Sequence, residues 1–229
     1  VTDVNEAPVI NSNDGGDSAI VNVQEGDSAV TTVTALDQED NALSYTITGG
    51  ADKDLLVLNP SSGELAFIEA KDFEAAGDAD ANNSYIVEVT VTDDGDGNLT
   101  DKQTITINLT DKPELPTITS NGGGETTAVT IEENTTAIAT VVATDPDGDD
   151  VSFSLSGGPD QALFNIDAGT GVLALKVVAD FETALDSDAN NSYVVEVTAT
   201  DDSADNLTDK QTFTITVTDI NEAPVISSN

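Results

Sequence analysis

Five residue types are missing from the 229-residue chain: cysteine, methionine, tryptophan, histidine and arginine. Without cysteine there are no disulfides, so stability has to come from apolar cores, from metal, or from both. Without histidine or cysteine the common nucleophile and base arrangements cannot be built. The remaining catalytic option is a carboxylate pair of glycosidase type, but a pattern of acids shared by two copies of a repeat accounts for the carboxylates without it, and no enzyme activity is expected. Six lysines against 44 Asp and Glu leave a formal net charge of −38. That excludes a nucleic-acid surface, which needs clustered cations for counterion release, and an anionic membrane face would repel the chain. No apolar run approaches the roughly 20 residues a spanning helix needs, so no membrane insertion is expected. The missing Met at position 1 and the lack of an apolar leader predict a segment of a longer chain. Aromatics reach only 4%, which predicts modest cores whose stability depends on what they bind.

Hydrophobic residues make up 38% of the chain and fall in alternating runs, which argues against acidic disorder. The acids gather at particular points, which mere solubility does not explain. Clustered carboxylates are the natural donors for a hard cation, and Ca²⁺ is the cation expected.

The strongest signal is an internal repeat. VTDVNEAPVI begins at Val1, LTDKPELPTI at Leu109 and VTDINEAPVI at Val217, a constant spacing of 108. Asp72-Phe73-Glu74 matches Asp180-Phe181-Glu182, and NLTDKQTITI from Asn98 matches NLTDKQTFTI from Asn206, at the same offset. The expected division is a first repeat over 1–110 with a linker copy at 1–6, a linker at 111–114, and a second repeat over 115–229 with a linker copy at 219–229. Tyr85, Val87, Val89 and Val91 alternate with Ile86, Glu88, Thr90 and Thr92, and Ile105, Ile107 and Leu109 with Thr104, Thr106 and Asn108, which is the period of a half-buried strand. Further strands are expected at 19–23, 29–36, 43–48, 55–58 and 64–68, punctuated by Gly49-Gly50, Asn59-Pro60 and Asp94-Gly95. Seven short strands in about 108 residues predict an all-β chain of two Greek-key sandwiches of immunoglobulin type, with all strands antiparallel and loops at both ends of each.

The acids fall in five places per repeat. The sequence here resembles cadherin-like repeats of bacterial surface proteins. Asp219-Ile220-Asn221-Glu222-Ala223-Pro224 is similar to the family's Asp-x-Asn-Asp-Asn-Ala-Pro junction in shortened form. Asp145-Pro146-Asp147 resembles its Asp-x-Asp motif and Asp72-Phe73-Glu74 its Asp-Arg-Glu motif. Glu25 and Glu133 stand where the family has an early Glu, and Asp93 and Asp201 where it has a late Asp. The resemblance covers both repeats, and the VTD-x-NEAPVI phrase resembles extender repeats of large surface adhesins of the RTX, biofilm-forming kind. It implies a calcium junction built from Glu25, Asp72, Glu74, Asp111, the carbonyl of Lys112, Glu114, Asp145, Asp147 and Asp201, with a carbonyl near Asp149. Half-sites at the ends would use Asp3, Asn5, Glu6, Asp37, Glu39 and Asp93, and Glu133, Asp180, Glu182, Asp219, Asn221 and Glu222. Pro113 replaces the asparagine found at Asn5 and Asn221 and offers no side-chain oxygen, so one or two strong sites are expected at the internal junction, with a third weakened or lost. Asp78 to Asn82 and Asp186 to Asn190 carry oxygens at alternate positions, as an additional metal loop would, but they lack the sixth-place Gly and the distal Glu of an EF-hand, and a solvated loop is expected. The resemblance implies an extracellular, cell-surface, calcium-stiffened extender whose partners are neighbouring repeats. The alternative is a direct recognition module for carbohydrate or for homophilic cell-cell contact, with carbohydrate or another cell-surface protein as its partner. With three Tyr and no Trp, the chain has few rings to stack on a sugar.

Overall fold

The computed structural model describes residues 4–224, and the chain divides into two compact units, Val1–Lys112 and Pro113–Asn229. The first unit contains β1 (Val9–Ile10), β2 (Ser18–Gln24), β3 (Ala29–Thr32), β4 (Ala35–Leu36), β5 (Leu43–Gly49), β6 (Leu56–Leu58), β7 (Glu64–Phe67), β8 (Ser84–Asp93) and β9 (Thr100–Thr110). A four-stranded sheet, β2-β9-β8-β5, packs on a three-stranded sheet, β3-β7-β6, and β1 pairs with β4 beside them. The second unit repeats the plan with β10 (Thr117–Ile118), β11 (Thr126–Glu132), β12 (Ala137–Thr140), β13 (Ala143–Thr144), β14 (Ser152–Gly157), β15 (Phe164–Ile166), β16 (Val172–Leu175), β17 (Ser192–Thr200) and β18 (Thr208–Thr218).

Period-2 patterning decides which faces meet. Tyr85, Val87, Val89 and Val91 on β8 and Ile105 and Ile107 on β9 are fully buried, while most of the residues between them are half-buried or exposed, Thr90 being the buried exception. Each such valine or isoleucine contributes about 1.5–3 kcal/mol on leaving water. Phe67 meets Tyr85 edge-on at 4.9 Å, and Phe164 meets Tyr193 at 6.4 Å. The aromatics are few but central.

Two expectations need correction. The single strand at 29–36 is broken into β3 and β4, because Val33 turns inward to full burial and its N–H donates to the Gly63 carbonyl. The sheets are also not wholly antiparallel. β2 runs parallel to β9, Ser18 opposite Thr104 and Gln24 opposite Thr110. The chain crosses from the β1–β4 pair to this edge through Asn13, Asp14, Gly15 and Gly16, all at positive φ. Gln103, fully buried, holds that crossover by donating to the Gly16 carbonyl at 3.1 Å and accepting from Asn13 at 3.3 Å. A one-sided hairpin count cannot produce such a crossover, because parallel neighbours require a connection that changes sheets.

Candidate metal centres

The parallel pair β2–β9 places two acids side by side. As Gln24 lies opposite Thr110, Glu25 and Asp111 leave the sheet at the same end, and the Glu25 N–H donates to the Thr110 carbonyl at 3.0 Å. The Glu25 side chain is 5% exposed; Oε1 accepts the Lys112 N–H at 2.7 Å and Oε2 the Phe73 N–H at 2.9 Å. Asp72 Oδ1 caps the turn that follows, accepting the N–H groups of Glu74 and Ala75 at 3.0 Å each. One oxygen each from Glu25, Glu74 and Asp111 fall within 4.8 Å of one another, and Asp72 stands outside that group. The second unit builds the same end from Glu133, which accepts from Ile220 at 2.7 Å and Phe181 at 2.9 Å. Here the group within 4.8 Å is Glu133, Asp180 and Glu182. The Ile220 and Phe181 N–H groups hold the Glu133 carboxyl below its ordinary value. Glu182 lies above its own: its backbone N–H pulls it down, but desolvation and the charges of Glu133, Asp219 and Glu222 outweigh that pull. Glu222 accepts from Asn134 at 3.3 Å, Asn221 is exposed, and Asp3 lies outside the described residues.

The opposite end of each unit holds the Asp-x-Asp or Asp-x-Glu turn. In the first, Asp37 Oδ1 accepts the N–H groups of Glu39 and Asn41, and Glu39 Oε2 accepts the Glu6 N–H at 3.0 Å. Asp93, 3% exposed, accepts from Gly95 and Leu99 through Oδ1 and from the Asn5 amide through Oδ2 at 3.0 Å. In the second, Asp145 Oδ1 accepts the Asp147 N–H and Asp147 Oδ2 the Glu114 N–H at 2.7 Å. Asp145, Asp147 and Asp149 each bring an oxygen within 4.8 Å of the others. Desolvation, then the charges of Asp202, Asp145, Asp147 and Asp201, push the Asp149 carboxyl up.

The Asp78 and Asp186 loops are built differently. Asp52, 4% exposed, accepts the Ala79 N–H through Oδ1 and the Ile86 N–H through Oδ2, while Asp78 takes those of Asn82 and Asn83. Desolvation raises Asp78, but these N–H groups and a side-chain hydrogen bond with Asp80 bring it below its ordinary value; that same hydrogen bond, then desolvation and the Asp78 charge, carries Asp80 above its own. Asp160 and Asp186 repeat this arrangement in the second unit. Asp78 and Asp186 are thus occupied with their own loop backbone, and Asp80 and Asp188 accept from the Asn82 and Asn190 side chains.

Whether a hard cation fits the ends can be judged from the oxygens left over. Asp37 Oδ2, Asp145 Oδ2, Asp147 Oδ1 and Asp201 Oδ2 are buried without a hydrogen-bond partner. Buried anionic oxygens are strongly unfavourable unless a cation or donor meets them, and all the donors here are the hard oxygens that Ca²⁺ takes. The acids fit. Sequence reasoning passed over Asp52 and Asp160, whose signal was only their exact recurrence 108 residues apart. It also assigned Asp149 no side-chain role, although Asn41 at the equivalent position had changed to a carboxylate.

Residues 127–218 match the cadherin domain family model. Cadherin domains are adhesion-type modules of extracellular proteins. The chain is 28% identical to human protocadherin Fat 1 across 83% of its own length and 30% identical to mouse protocadherin Fat 4 across 86%. It spans about 4% of each of these relatives. The two-domain crystal structure of human protocadherin-24 EC1-2 aligns over 96% of this chain and 100% of its own, with a TM-score of 0.55 and 19% identity. Both units are cadherin-like β-sandwiches. The bacterial adhesin setting has no counterpart among these relatives.

Proposed function

We propose that the chain is a calcium-ordered extender from a large extracellular surface protein, whose repeats hold a distal binding domain away from the cell. One observation carries this reading. The linker is tied at both ends to acids: Lys112 donates to Glu25 at 2.7 Å, and two residues on Glu114 donates to Asp147 at 2.7 Å. A cation at either acid cluster therefore acts on the linker backbone as well as on the carboxylates. Within the first unit Glu25, Glu74 and Asp111 are close enough for each pair of charges to repel by about 4 kcal/mol at an effective dielectric of 20. Bound Ca²⁺ would neutralise that repulsion, making occupancy and linker order one event. Modules of this kind bind at about 10⁻⁴ to 10⁻³ M, which suits extracellular calcium. The resemblance of the linker phrase to adhesin extenders supports a bacterial surface protein as the parent. Small-angle scattering of the full chain tests the reading: a longer, narrower distance distribution with calcium than with chelator is expected, and identical distributions would count against it.

A second reading, direct recognition of another protein surface, is supported by one local difference between the units. Val177, Val178 and Leu185 are 60%, 48% and 49% exposed and line a pocket of about 130 Å³ beside Leu163, Leu175 and Tyr193. The first unit has Glu69, Ala70 and Gly77 at those three exposed positions. Sedimentation with and without calcium separates the readings, since self-association through that patch would appear as a concentration-dependent mass.

A further inference from the structure

Among the differences between the N-terminal loop ends of the two units, three fall on one contact: Asn5, Asn41 and Gly95 in the first are Pro113, Asp149 and Ser203 in the second. They are physically linked. The Asn5 side chain donates to Asp93 Oδ2 at 3.0 Å and accepts from the Asn41 amide at 2.6 Å. It lies so near Gly95 that a β-carbon there would come within 2.1 Å of Asn5 Oδ1. Proline at 113 brings no amide, so both hydrogen bonds are lost and the steric demand for glycine disappears. Ser203 occupies the released position and donates its hydroxyl to Asp201 Oδ1 at 2.6 Å.

The change leaves a particular deficit. Asp201 is only 3% exposed, yet its Oδ2, the counterpart of the oxygen that Asn5 satisfies on Asp93, has no hydrogen-bond partner. Asp145 Oδ2 and Asp147 Oδ1 are buried without partners in the same loop end. Where the first unit has the neutral amide of Asn41, the second adds one more carboxylate. Its oxygen shares a 4.8 Å neighbourhood with oxygens of Asp145 and Asp147. Two oxygens on one Ca²⁺ stand no more than about 5 Å apart, twice the bond length. Adding a negative charge beside three unsatisfied buried anionic oxygens makes the loop end worse without a cation and better with one.

Building on the calcium reading, we propose that the second unit completes its own N-terminal cation site, with the side chain of Asp149 replacing the donor that the linker lost at Pro113. Asp145, Asp147, Asp149 and Asp201 then hold a divalent cation with no side chain from position 113.

Calorimetric titration of calcium into the metal-free 229-residue chain tests this with four variants, each checked for an unchanged circular dichroism spectrum. Asp149→Asn should weaken one binding step by about tenfold or more, since calcium affinity follows ligand charge. Asp150→Asn, which removes a neighbouring exposed charge, should weaken no step by more than about threefold, the effect of a screened charge. Pro113→Asn alone should change no step by more than about threefold, and added to Asp149→Asn it should recover part of the loss. The proposal is overturned if Asp149→Asn overlays the parent, if Asp150→Asn matches its effect, or if Pro113→Asn alone tightens a step tenfold. An unmutated chain that takes up no calcium would overturn the function reading as well, whereas uptake indifferent to Asp149 overturns this inference alone.

Discussion

The two N-terminal loop ends have the same strands, the same turn and the same buried late aspartate, yet they resolve its charge in opposite ways. Asp93 is satisfied from within the protein, by two backbone N–H groups and the Asn5 amide. Asp201 keeps its backbone donors and gains Ser203, but Oδ2 has no partner and Asp149 stands nearby as a further anion. The fold therefore fixes where the carboxylates gather, while one or two neighbours decide whether the protein satisfies the buried oxygen or leaves it without a partner. A repeat can be retuned in this way without disturbing its core, because none of the three exchanged positions belongs to the buried apolar clusters.

The sharpest way to break this contrast is to neutralise the two aspartates in chelator. Asp93→Asn turns a donor toward the Asn5 amide and should destabilise the first unit by about 1–3 kcal/mol, the cost of a buried group left unpaired. Asp201→Asn turns the same donor toward carboxylates and should leave the metal-free second unit unchanged or more stable. Hydrogen exchange at the buried strands β8 and β17 reads the units separately, and equal losses in both would erase the distinction. A smaller effect is expected from pH. Asp149 ionises above its ordinary range in the folded, metal-free unit, so the native state holds the proton more tightly than the unfolded chain does. Its contribution should rise as pH falls through that raised value, level off below the unfolded value, and be least favourable at neutral pH. Asp149→Asn should then be more stable than the parent near neutrality, with the gap closing in acid; a gap that widens in acid would contradict the assigned repulsion. The smallest effect calibrates the others. Lys102 and Lys210 reach Glu88 and Glu196 at 2.9 Å from exposed positions, and replacing either lysine with alanine should cost about 0–1 kcal/mol. The two losses should be equal, since this pair is identical in both units.

Much of the sandwich was readable from alternation alone. β8 and β9 bury Tyr85, Val87, Val89, Val91, Ile105, Ile107 and Leu109 at every second position, β5 alternates half-buried or buried with exposed residues, and the 108-residue offset carried the assignment to the second unit. Short elements escaped because two residues, as in Val9–Ile10, cannot display a period. The parallel pairing of β2 with β9 escaped for another reason: strand direction within a sheet depends on where a distant connection crosses, and the Asn13–Gly16 kink gives no hint of its partner. That pairing is what sets Glu25 beside Asp111, so the spatial origin of the cluster was hidden even where its members were named. At the other end, Pro113 was legible as a missing oxygen. Its link to Asp149 and Ser203 was not, because nothing in the order of residues says that positions 5, 41 and 95 touch.

The edge pairing also has a mechanical side. β2 lies near the start of its unit and β9 at the finish, and they run in the same direction over seven facing residues, Ser18 to Gln24 against Thr104 to Thr110. Tension along the chain draws β2 backwards and β9 forwards, so these neighbours slide past one another and their cross-links are strained together instead of opening one at a time. A unit built this way should yield at high force and abruptly, as single-molecule stretching would read directly, and a gradual low-force extension would show that the load travels by another route.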